Sequence, residues 1–395
     1  QNAWWLMKTL EIGGHKIEAG ARKQIELPVV DMYTHAPLTM PIEVVRGKKP
    51  GPTLFVSAAI HGDEINGIET IRRVMYGLQP EKLSGAIIGI PIVNQMGFRR
   101  GSRYLPDRRD LNRYFPGNPS GSSASRIAYS LFDQIIRHCD AVIDVHTGSF
   151  HRTNIPQLRA NLNIPSVHAL AQGFGDIVVL HSAGAEGTLR HEAVNRDIPT
   201  VTLEAGESLR IQEDVVKAGV VHINTLLTKL KMVKKPFFWS KSQPAYMSSR
   251  WIRAESGGIF ISQKKPGEKI VVGDIIGNIT DPITNVQYEV VSETVGKIIG
   301  MAVNQVVMPG YAIYHIGVDL NEPKVQVLPG NDDQEDTEVI DVSMKNKTKH
   351  SAHTLATNAD SPIEKPASDS PNTKILSHDN YDNREEDHEF MNDAD

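Results

Sequence analysis

The sequence predicts an α/β protein in which a layered sheet carries helices on both faces, followed by a small all-β unit and a disordered acidic tail. Three observations support this prediction. Strand-like and helix-like segments alternate from about residue 53 to 232, short β-runs cut by glycine fill about 250–317, and apolar residues become scarce beyond about 328. The length of 395 residues suggests two domains, and the chain lacks the run of about 18 apolar residues that a membrane-spanning helix requires.

The alternating segment opens with a continuous apolar run at residues 53–60 (TLFVSAAI), which indicates a strand buried on both faces. Apolar side chains then recur at the three- and four-residue spacings of an amphipathic helix, at Ile65, Ile68, Ile71, Val74 and Leu78. Further strand-like runs occur at 86–93, 140–146, 177–180 and 200–204, and further helical patterns at 123–139 and 211–230. This order predicts a domain over residues 1–240 with a largely parallel sheet, including a β-rich lead-in at 1–48.

The glycine-rich segment predicts a small β domain over residues 245–328 with two similar halves. It resembles the barrel-sandwich fold of biotinyl and lipoyl carrier domains, in which a lysine at the central hairpin turn takes the cofactor. The corresponding turn here is Pro282-Ile283-Thr284-Asn285 and contains no lysine. We therefore expect this domain to have a structural or pocket-shaping role rather than a carrier role.

The charge of the chain is distributed unevenly. Residues Asn331–Asp395 carry 17 acidic and 6 basic side chains, a net charge of −11, whereas the rest of the chain has a net charge of +6. A segment of this composition buries too little apolar surface to offset the entropy of ordering, so residues 329–395 are predicted to be disordered. The mildly basic remainder is compatible with a small anionic substrate.

Two features bear on the cellular compartment. The amino terminus has a short apolar patch but neither the charged start nor the cleavage site of a secretory signal. Cys139 is the only cysteine, which excludes an internal disulfide and a cysteine-rich metal cluster. We therefore expect a cytoplasmic protein.

Polar residues end three of the predicted strands, at His61-Gly62-Asp63-Glu64, at Asp144-Val145-His146 and at Glu204. Ligands of open α/β sheets bind beyond the carboxyl ends of the strands. Three-residue spacing lets His61 and Glu64 converge, and strand alternation places Asp144 and His146 on one side.

Two histidines and a carboxylate form the three-ligand set of a catalytic zinc, which leaves the fourth position for water. This pattern predicts His61, Glu64 and His146 as ligands, Glu204 as the free carboxylate that takes a proton, and Asp144 as the partner that orients a ligating imidazole. A histidine at a strand end is often only a hydrogen-bonded core residue. The metal hypothesis is favoured because burying four such ionisable groups unpaired would cost several kcal/mol each.

Six arginines fall within residues 99–113. Such a loop is compatible with nucleic-acid binding, but Asp107 and Asp110 interrupt it and the body is only mildly basic. The cluster instead favours recognition of a substrate carboxylate by a guanidinium fork, with a second arginine directed at a developing oxyanion. We expect no nucleic-acid partner.

The motifs HGDE, DLNRYFPG, DVHTG and TLEAG, in this order, resemble the succinylglutamate desuccinylase/aspartoacylase family of the zinc carboxypeptidase-like fold. Bacterial members of this family often carry a barrel-sandwich unit after the catalytic domain. The resemblance implies one zinc ion per chain and a general base and acid, and it also implies a residue pair for the substrate carboxylate and an arginine that polarises the scissile carbonyl. The residues that match these roles are His61, Glu64 and His146 for zinc, Glu204 for proton transfer, Asn112 and Arg113 for the carboxylate, and Arg103 for the carbonyl, with Arg108 and Arg109 as alternatives to Arg103.

The resemblance therefore predicts a zinc-dependent hydrolase that cleaves the amide bond of a small N-acyl amino acid or a similar carboxylate-bearing amide, with no membrane partner. Two alternatives stay open. One is a zinc carboxypeptidase that acts on short peptides, and the other is a non-catalytic binding protein that has kept the fold. The oligomeric state, monomer or homo-oligomer, also stays open.

Overall fold

The structure is a computed structural model that describes residues 10–31, 37–234, 244–303 and 305–319. The predicted acidic tail, residues 329–395, lies outside the described residues. No helix in the described part of the chain is long and apolar enough to cross a membrane.

A large mixed sheet forms the centre of the protein. The strands of this half of the chain are β1 (Leu10–Ile12), β2 (His15–Ile17), β3 (Arg22–Asp31), β4 (Pro37–Arg46), β5 (Lys49–Ala58), β6 (Ser84–Ile90), β7 (Ala141–Gly148), β8 (Arg152–Ala160), β9 (Val178–His181) and β10 (Thr200–Glu207). The order across the central part of the large sheet is β8-β10-β7-β5-β6-β4-β3, and a separate two-stranded sheet, β1-β2, precedes it.

The direction of the strands corrects one detail of the sequence analysis. The central strands β6, β5, β7 and β10 are parallel, as predicted, but β4 pairs antiparallel with β6, β3 with β4, and β8 with β10. The sheet is therefore mixed, with a parallel centre and antiparallel flanks.

Helices cover both faces of the sheet, which confirms the predicted layered α/β fold. The helices are α1 (Asn66–Tyr76), α2 (Gln95–Arg100), α3 (Ser123–Gln134), α4 (Pro165–Gln172), α5 (Leu189–Val194) and α6 (Glu213–Lys229). The helical pattern at 123–139 ends earlier than predicted. Ile135 leaves the helical region at φ −127°, and a 3₁₀ turn (Ile136–His138) follows. The break lets both Ile135 and Ile136 reach the core, because consecutive residues of a continuous helix point in different directions.

Two hydrophobic cores lie on opposite faces of the sheet, as the alternation of β5 shows. Leu54 and Val56 face the core that contains apolar residues of α1, α4 and α6. Phe55 faces the other core, with apolar residues of α3 and α5. This two-sided burial explains why residues 53–60, which include most of β5, form a continuous apolar run in the sequence.

The second half of the described chain is all β. Its strands are β11 (Ala245–Tyr246), β12 (Ser249–Arg253), β13 (Gly258–Ser262), β14 (Lys269–Ile270), β15 (Ile275–Thr280), β16 (Gln287–Val291), β17 (Gly296–Ala302), β18 (Gln305–Val307) and β19 (Ala312–Val318). We refer to residues 244–319 as the β unit. The assignment of this unit to the barrel-sandwich fold stays a prediction.

The β unit contains two groups of strands. One is a separate four-stranded sheet in the order β16-β15-β13-β18. The other, in the order β12-β19-β17, continues the large sheet, because Gly300, Met301 and Ala302 of β17 pair with residues 152–154 of β8. Backbone hydrogen bonding therefore joins the β unit directly to the strand that lies beside β10.

Candidate metal centre and active site

The parallel strands β5, β7 and β10 bring the three predicted polar sites to one edge of the sheet. His61 and Glu64 follow β5, His146 lies near the end of β7, and Glu204 lies in β10. Glu204 and His146 are paired in the parallel ladder, so their backbones lie about 4.8 Å apart and their side chains share a face. The predicted convergence of these residues is therefore present in the structure.

His61, Glu64 and His146 form a compact buried group, called the metal group below. The potential ligand atoms of the three side chains lie within 4.8 Å of one another. The Nδ1 atom of His61 lies 2.8 Å from one carboxylate oxygen of Glu64, and the Nδ1 atom of His146 lies 3.0 Å from the other. Their exposed fractions are 4%, 1% and 5%. Such burial of three ionisable side chains requires mutual compensation or a bound cation.

The Nε2 atom of each imidazole, on the side of the ring away from Glu64, lies beside a different carboxylate. Asp144 Oδ2 lies 2.7 Å from His146 Nε2, and the Ser57 hydroxyl donates a 2.8 Å hydrogen bond to the other Asp144 oxygen. Asp110 Oδ1 lies 3.2 Å from His61 Nε2. With a proton on each Nε2, both Nδ1 lone pairs face Glu64, and this tautomer is the one that a metal ligated through Nδ1 requires. The donor set and its orientation thus fit zinc.

Asp144 was predicted for this role, but Asp110 was not. Asp110 is the first residue of the DLNR motif. The sequence could not show its role, because 49 positions separate it from His61. The Asp110 carboxylate also accepts a 2.8 Å hydrogen bond from the backbone N–H of Asn112 and another of the same length from Arg103 Nη2.

The electrostatics of the group follow from this pairing. Burial alone lowers the pKa of His146, but the carboxylates of Asp144 and Glu64 outweigh it and raise that pKa well above its usual value. The pKa of His61 shifts in the same direction. Burial and Arg103 lower it, but Glu64 and Asp110 outweigh them, so the net pKa lies above the usual value. Burial raises the pKa of Glu64, but the two imidazoles hold it well below its usual range. The metal-free group therefore binds protons, with which a metal ion would compete.

We expect Asp110→Asn to weaken zinc binding about 10- to 100-fold, the usual effect of losing a carboxylate that orients a ligating histidine. Asparagine keeps the size and the capping ability of the aspartate, so the local fold should survive. Asp107→Asn is the matched control, since Asp107 pairs with Arg109 at the surface. Competition with a zinc-binding dye would measure both affinities, and equal affinities for the two variants would contradict the role given to Asp110.

Of the three arginines proposed for the carbonyl, the structure brings Arg103 to the metal group. Arg103 Nη1 lies 3.2 Å from His61 Nδ1 and 3.5 Å from a Glu64 oxygen, and the residue is 7% exposed. Arg108 and Arg109 are both exposed. The fold therefore favours Arg103 over the other two by position.

The turn between β7 and β8, residues 149–151, completes the surroundings of Arg103. The Ser149 hydroxyl accepts a 2.8 Å hydrogen bond from Arg103 Nη1 and donates a 2.9 Å hydrogen bond to Glu64 Oε1. The Phe150 ring centre lies 5.4 Å from the Arg103 guanidinium carbon, within the range of a cation–π contact. Sequence reasoning missed both residues, because the turn carries no ionisable side chain before His151.

Asn112 and Arg113 lie in a 3₁₀ turn, Leu111–Arg113, that Asp110 caps. The side-chain oxygen of Asn112 accepts a 2.9 Å hydrogen bond from the Leu189 amide, at the start of α5. Gly187 approaches Arg113 so closely that a Cβ atom would lie 2.5 Å from the Arg113 carbonyl oxygen, and its φ of +80° also favours glycine. Burial raises the pKa of Asp110, but His61, Arg103 and, to a smaller extent, Arg113 hold it well below its usual value.

Glu204 is buried, and β8 supplies its immediate neighbours. Asn154 Nδ2 donates a 3.1 Å hydrogen bond to one Glu204 oxygen, and Arg159 Nε lies 3.5 Å from the other. A second buried arginine, Arg190 of α5, donates a 3.2 Å hydrogen bond to the Thr202 hydroxyl, two residues before Glu204. The sequence analysis assigned no role to Asn154, Arg159 or Arg190.

Known proteins resemble this chain in sequence and in fold. A family model described as the succinylglutamate desuccinylase/aspartoacylase catalytic domain matches residues 50–230. A curated relative, the N-alpha-acetyl-L-2,4-diaminobutyric acid deacetylase of Halomonas elongata, is 25% identical over 273 residues, which cover 65% of this chain and 79% of the relative.

Two solved structures share the fold. The product-bound ectoine utilization protein of Ruegeria pomeroyi matches with a TM-score of 0.68 and 21% identity, over 77% of this chain and 98% of the other. A succinylglutamate desuccinylase/aspartoacylase of Rhodobacter sphaeroides matches with a TM-score of 0.67 and 23% identity, over 78% and 98%.

Proposed function

This chain belongs, through residues 50–230, to the succinylglutamate desuccinylase/aspartoacylase family, and on that premise we propose that it is a zinc-dependent hydrolase of N-acyl amino acids. One observation carries the proposal: two imidazoles, each fixed at Nε2 by its own carboxylate, turn Nδ1 toward one buried glutamate. Deacylase action is supported by the curated relative, which is named a deacetylase.

His61, Glu64 and His146 would hold the zinc ion, one per chain. When bound, zinc would supply a Lewis acid for the scissile carbonyl and lower the pKa of a water molecule from about 15.7 to about 7. Asp144 and Asp110 would keep the two imidazoles in the ligating tautomer through the contacts described above.

Glu204 would move the protons of the reaction. Its carboxylate would take a proton from the attacking water and return it to the leaving amine. The hydrogen bond from Asn154 and the charge of Arg159 hold this carboxylate in place on the face that also carries His146. No other group is needed for the two transfers, because Glu204 accepts the proton from water and then donates that proton to the leaving amine.

Arg103 would stabilise the negative charge that develops on the carbonyl oxygen, since its guanidinium is buried beside the metal group and remains charged. Asn112 and Arg113 would bind the carboxylate of the amino acid. The Asn112 side-chain oxygen is engaged by the Leu189 backbone amide, so its side-chain nitrogen is the atom that can donate to a ligand. The guanidinium of Arg113, which donates a 3.2 Å hydrogen bond to the Asn112 backbone carbonyl, would supply the positive charge.

We expect the zinc-loaded protein to hydrolyse at least one N-acyl amino acid and to lose this activity on chelation. The test combines metal analysis with a screen of acetyl, succinyl and other acyl amino acids, alongside short peptides. Faster turnover of peptides would favour a carboxypeptidase. Stoichiometric zinc without turnover of any amide, or the absence of zinc after metal-free purification and reloading, would overturn the proposal in favour of a binding protein.

A further inference from the structure

The turn between β7 and β8 has two sides, and the first faces the proposed active site. Ser149 bridges Arg103 and Glu64, and the Phe150 ring lies against the Arg103 guanidinium. Arg103 is thus seated by this turn as well as by its ion pair with Asp110. Any shift of the turn would move the guanidinium relative to the metal group.

The backbone of this turn is in an unfavourable conformation. Phe150 and His151 both adopt the left-handed region, with φ values of 51° and 59°. Residues with a Cβ atom rarely occupy this region, and two in succession are rarer still. Such a conformation persists when surrounding contacts determine it, and it is found most often at functional sites.

The second side of the turn faces the β unit, which supplies those contacts. The Tyr311 hydroxyl donates a 2.7 Å hydrogen bond to the Phe150 carbonyl, and the Val303 amide donates a 2.8 Å hydrogen bond to the His151 carbonyl. The next residue, Arg152, donates to the Ala312 carbonyl, and its guanidinium carbon lies 4.9 Å from the centre of the Tyr311 ring. Each carbonyl of the left-handed pair therefore has a hydrogen-bond donor from the β unit.

We propose that the β unit holds the β7–β8 turn in its left-handed conformation and thereby positions Arg103, with Tyr311 as the principal positioning residue. The inference rests on the proposed function, since Arg103 matters as the group that polarises the carbonyl. It assigns the β unit a part in the reaction, although Tyr311 itself contacts the turn and not the metal group.

Tyr311→Phe tests this proposal in the full-length, zinc-loaded protein. The change removes the hydroxyl that binds the Phe150 carbonyl and keeps the ring that lies against Arg152. We expect kcat to fall about tenfold, with KM changed less than about twofold, because the lost interaction serves the transition state rather than substrate binding. Zinc content should equal that of the wild type.

Tyr314→Phe is the matched control. Tyr314 lies in β19 of the same unit, is fully buried, and bonds through its hydroxyl to Ser262 and to the Ile276 carbonyl, away from the turn. Its removal should lower the melting temperature and leave kcat unchanged. Equal kcat in Tyr311→Phe and the wild type, or equal losses in the two variants, would overturn the proposal.

A second readout does not depend on activity. Amide hydrogen exchange over residues 147–153 should be faster in metal-free Tyr311→Phe than in the wild type and in Tyr314→Phe. Unchanged exchange would overturn the proposal that the β unit holds the turn. If the wild type hydrolyses no amide, the proposed function fails, and the exchange comparison still decides whether Tyr311 holds the turn in place.

His151→Gly tests the backbone argument directly. Glycine adopts a left-handed φ without a Cβ penalty, so the turn should need less support. In the Tyr311→Phe background, this second change should restore kcat toward the wild-type value. A double variant as slow as Tyr311→Phe alone would overturn the part given to the left-handed backbone.

Discussion

Glu204→Gln should retain zinc and lose turnover by about 10² to 10⁴-fold, the range that a general acid–base contributes. Glutamine has nearly the same shape, and its side-chain oxygen can still accept the hydrogen bond from Asn154. It cannot take a proton from water at neutral pH. Steady-state kinetics with the best substrate of the acyl amino acid screen would measure the loss, and metal analysis would check occupancy.

The matched control for this prediction is Glu207→Gln. Glu207 lies in the same strand, β10, but forms an ion pair with the exposed side chain of Arg210. We expect this variant to keep the wild-type rate. A Glu204→Gln protein that turns over at a comparable rate would remove Glu204 from the reaction and leave the metal group without an assigned base.

His146→Ala should reduce bound zinc from about one per chain to below about one tenth after dialysis, because it removes one of the three proposed protein ligands. It also leaves Glu64 and Asp144 without their shared imidazole, and breaking a buried pair of this kind costs about 3–5 kcal/mol of folding free energy. Atomic absorption measures the first effect, and urea denaturation of the metal-free proteins measures the second.

The pH dependence of zinc binding gives this prediction a sign. Burial lowers the pKa of His146, but the carboxylates of Asp144 and Glu64 outweigh it and raise that pKa well above its usual value in the metal-free protein, so zinc must compete with protons for this imidazole. Zinc affinity should therefore rise as pH rises toward the raised pKa and fall as pH is lowered.

His168→Ala is the matched control for His146→Ala, because His168 lies on the exposed side of α4, and it should leave the zinc content unchanged. Full zinc occupancy of His146→Ala would refute the ligand set.

The sequence was informative wherever a strand is buried on both faces. Residues 53–60, which form most of β5, are a continuous apolar run, and β7 and β10 are also rich in apolar residues, so the ionisable residues at or near their ends stand out. This contrast made it possible to predict that His61, His146 and Glu204 meet at one edge of the sheet. Parallel strands present their carboxyl ends together, and the structure has these three strands in adjacent positions.

The strand β8 was not predicted, and its composition explains why. Its sequence, RTNIPQLRA, contains a proline and places polar side chains on the face of the proposed active site. Asn154 and Arg159 lie on that face, where both contact Glu204. Because these positions are polar, the segment does not show the alternation of apolar residues that predicts a strand. A strand that is polar for functional reasons resembles a loop when only the sequence is read.

Contacts between distant segments could not be predicted from spacing. The pairing of Asp110 with His61 and the choice of Arg103 over Arg108 and Arg109 depend on how the arginine-rich loop folds back over β5. The resemblance favoured Arg103 but left Arg108 and Arg109 open, and in the structure Arg103 is buried whereas the other two are exposed. The outcome is decided by tertiary packing, which carries no local signal.

The continuity of β17 with β8 has a consequence for dissecting this protein. A fragment that ends before residue 244 would expose the backbone N–H and C=O groups of residues 152–154 on a free strand edge. Free edges of this kind recruit other chains and promote aggregation. A minimal enzyme is therefore better sought by redesigning loops within the β unit than by truncation, and an insoluble fragment would say nothing about whether the β unit takes part in chemistry.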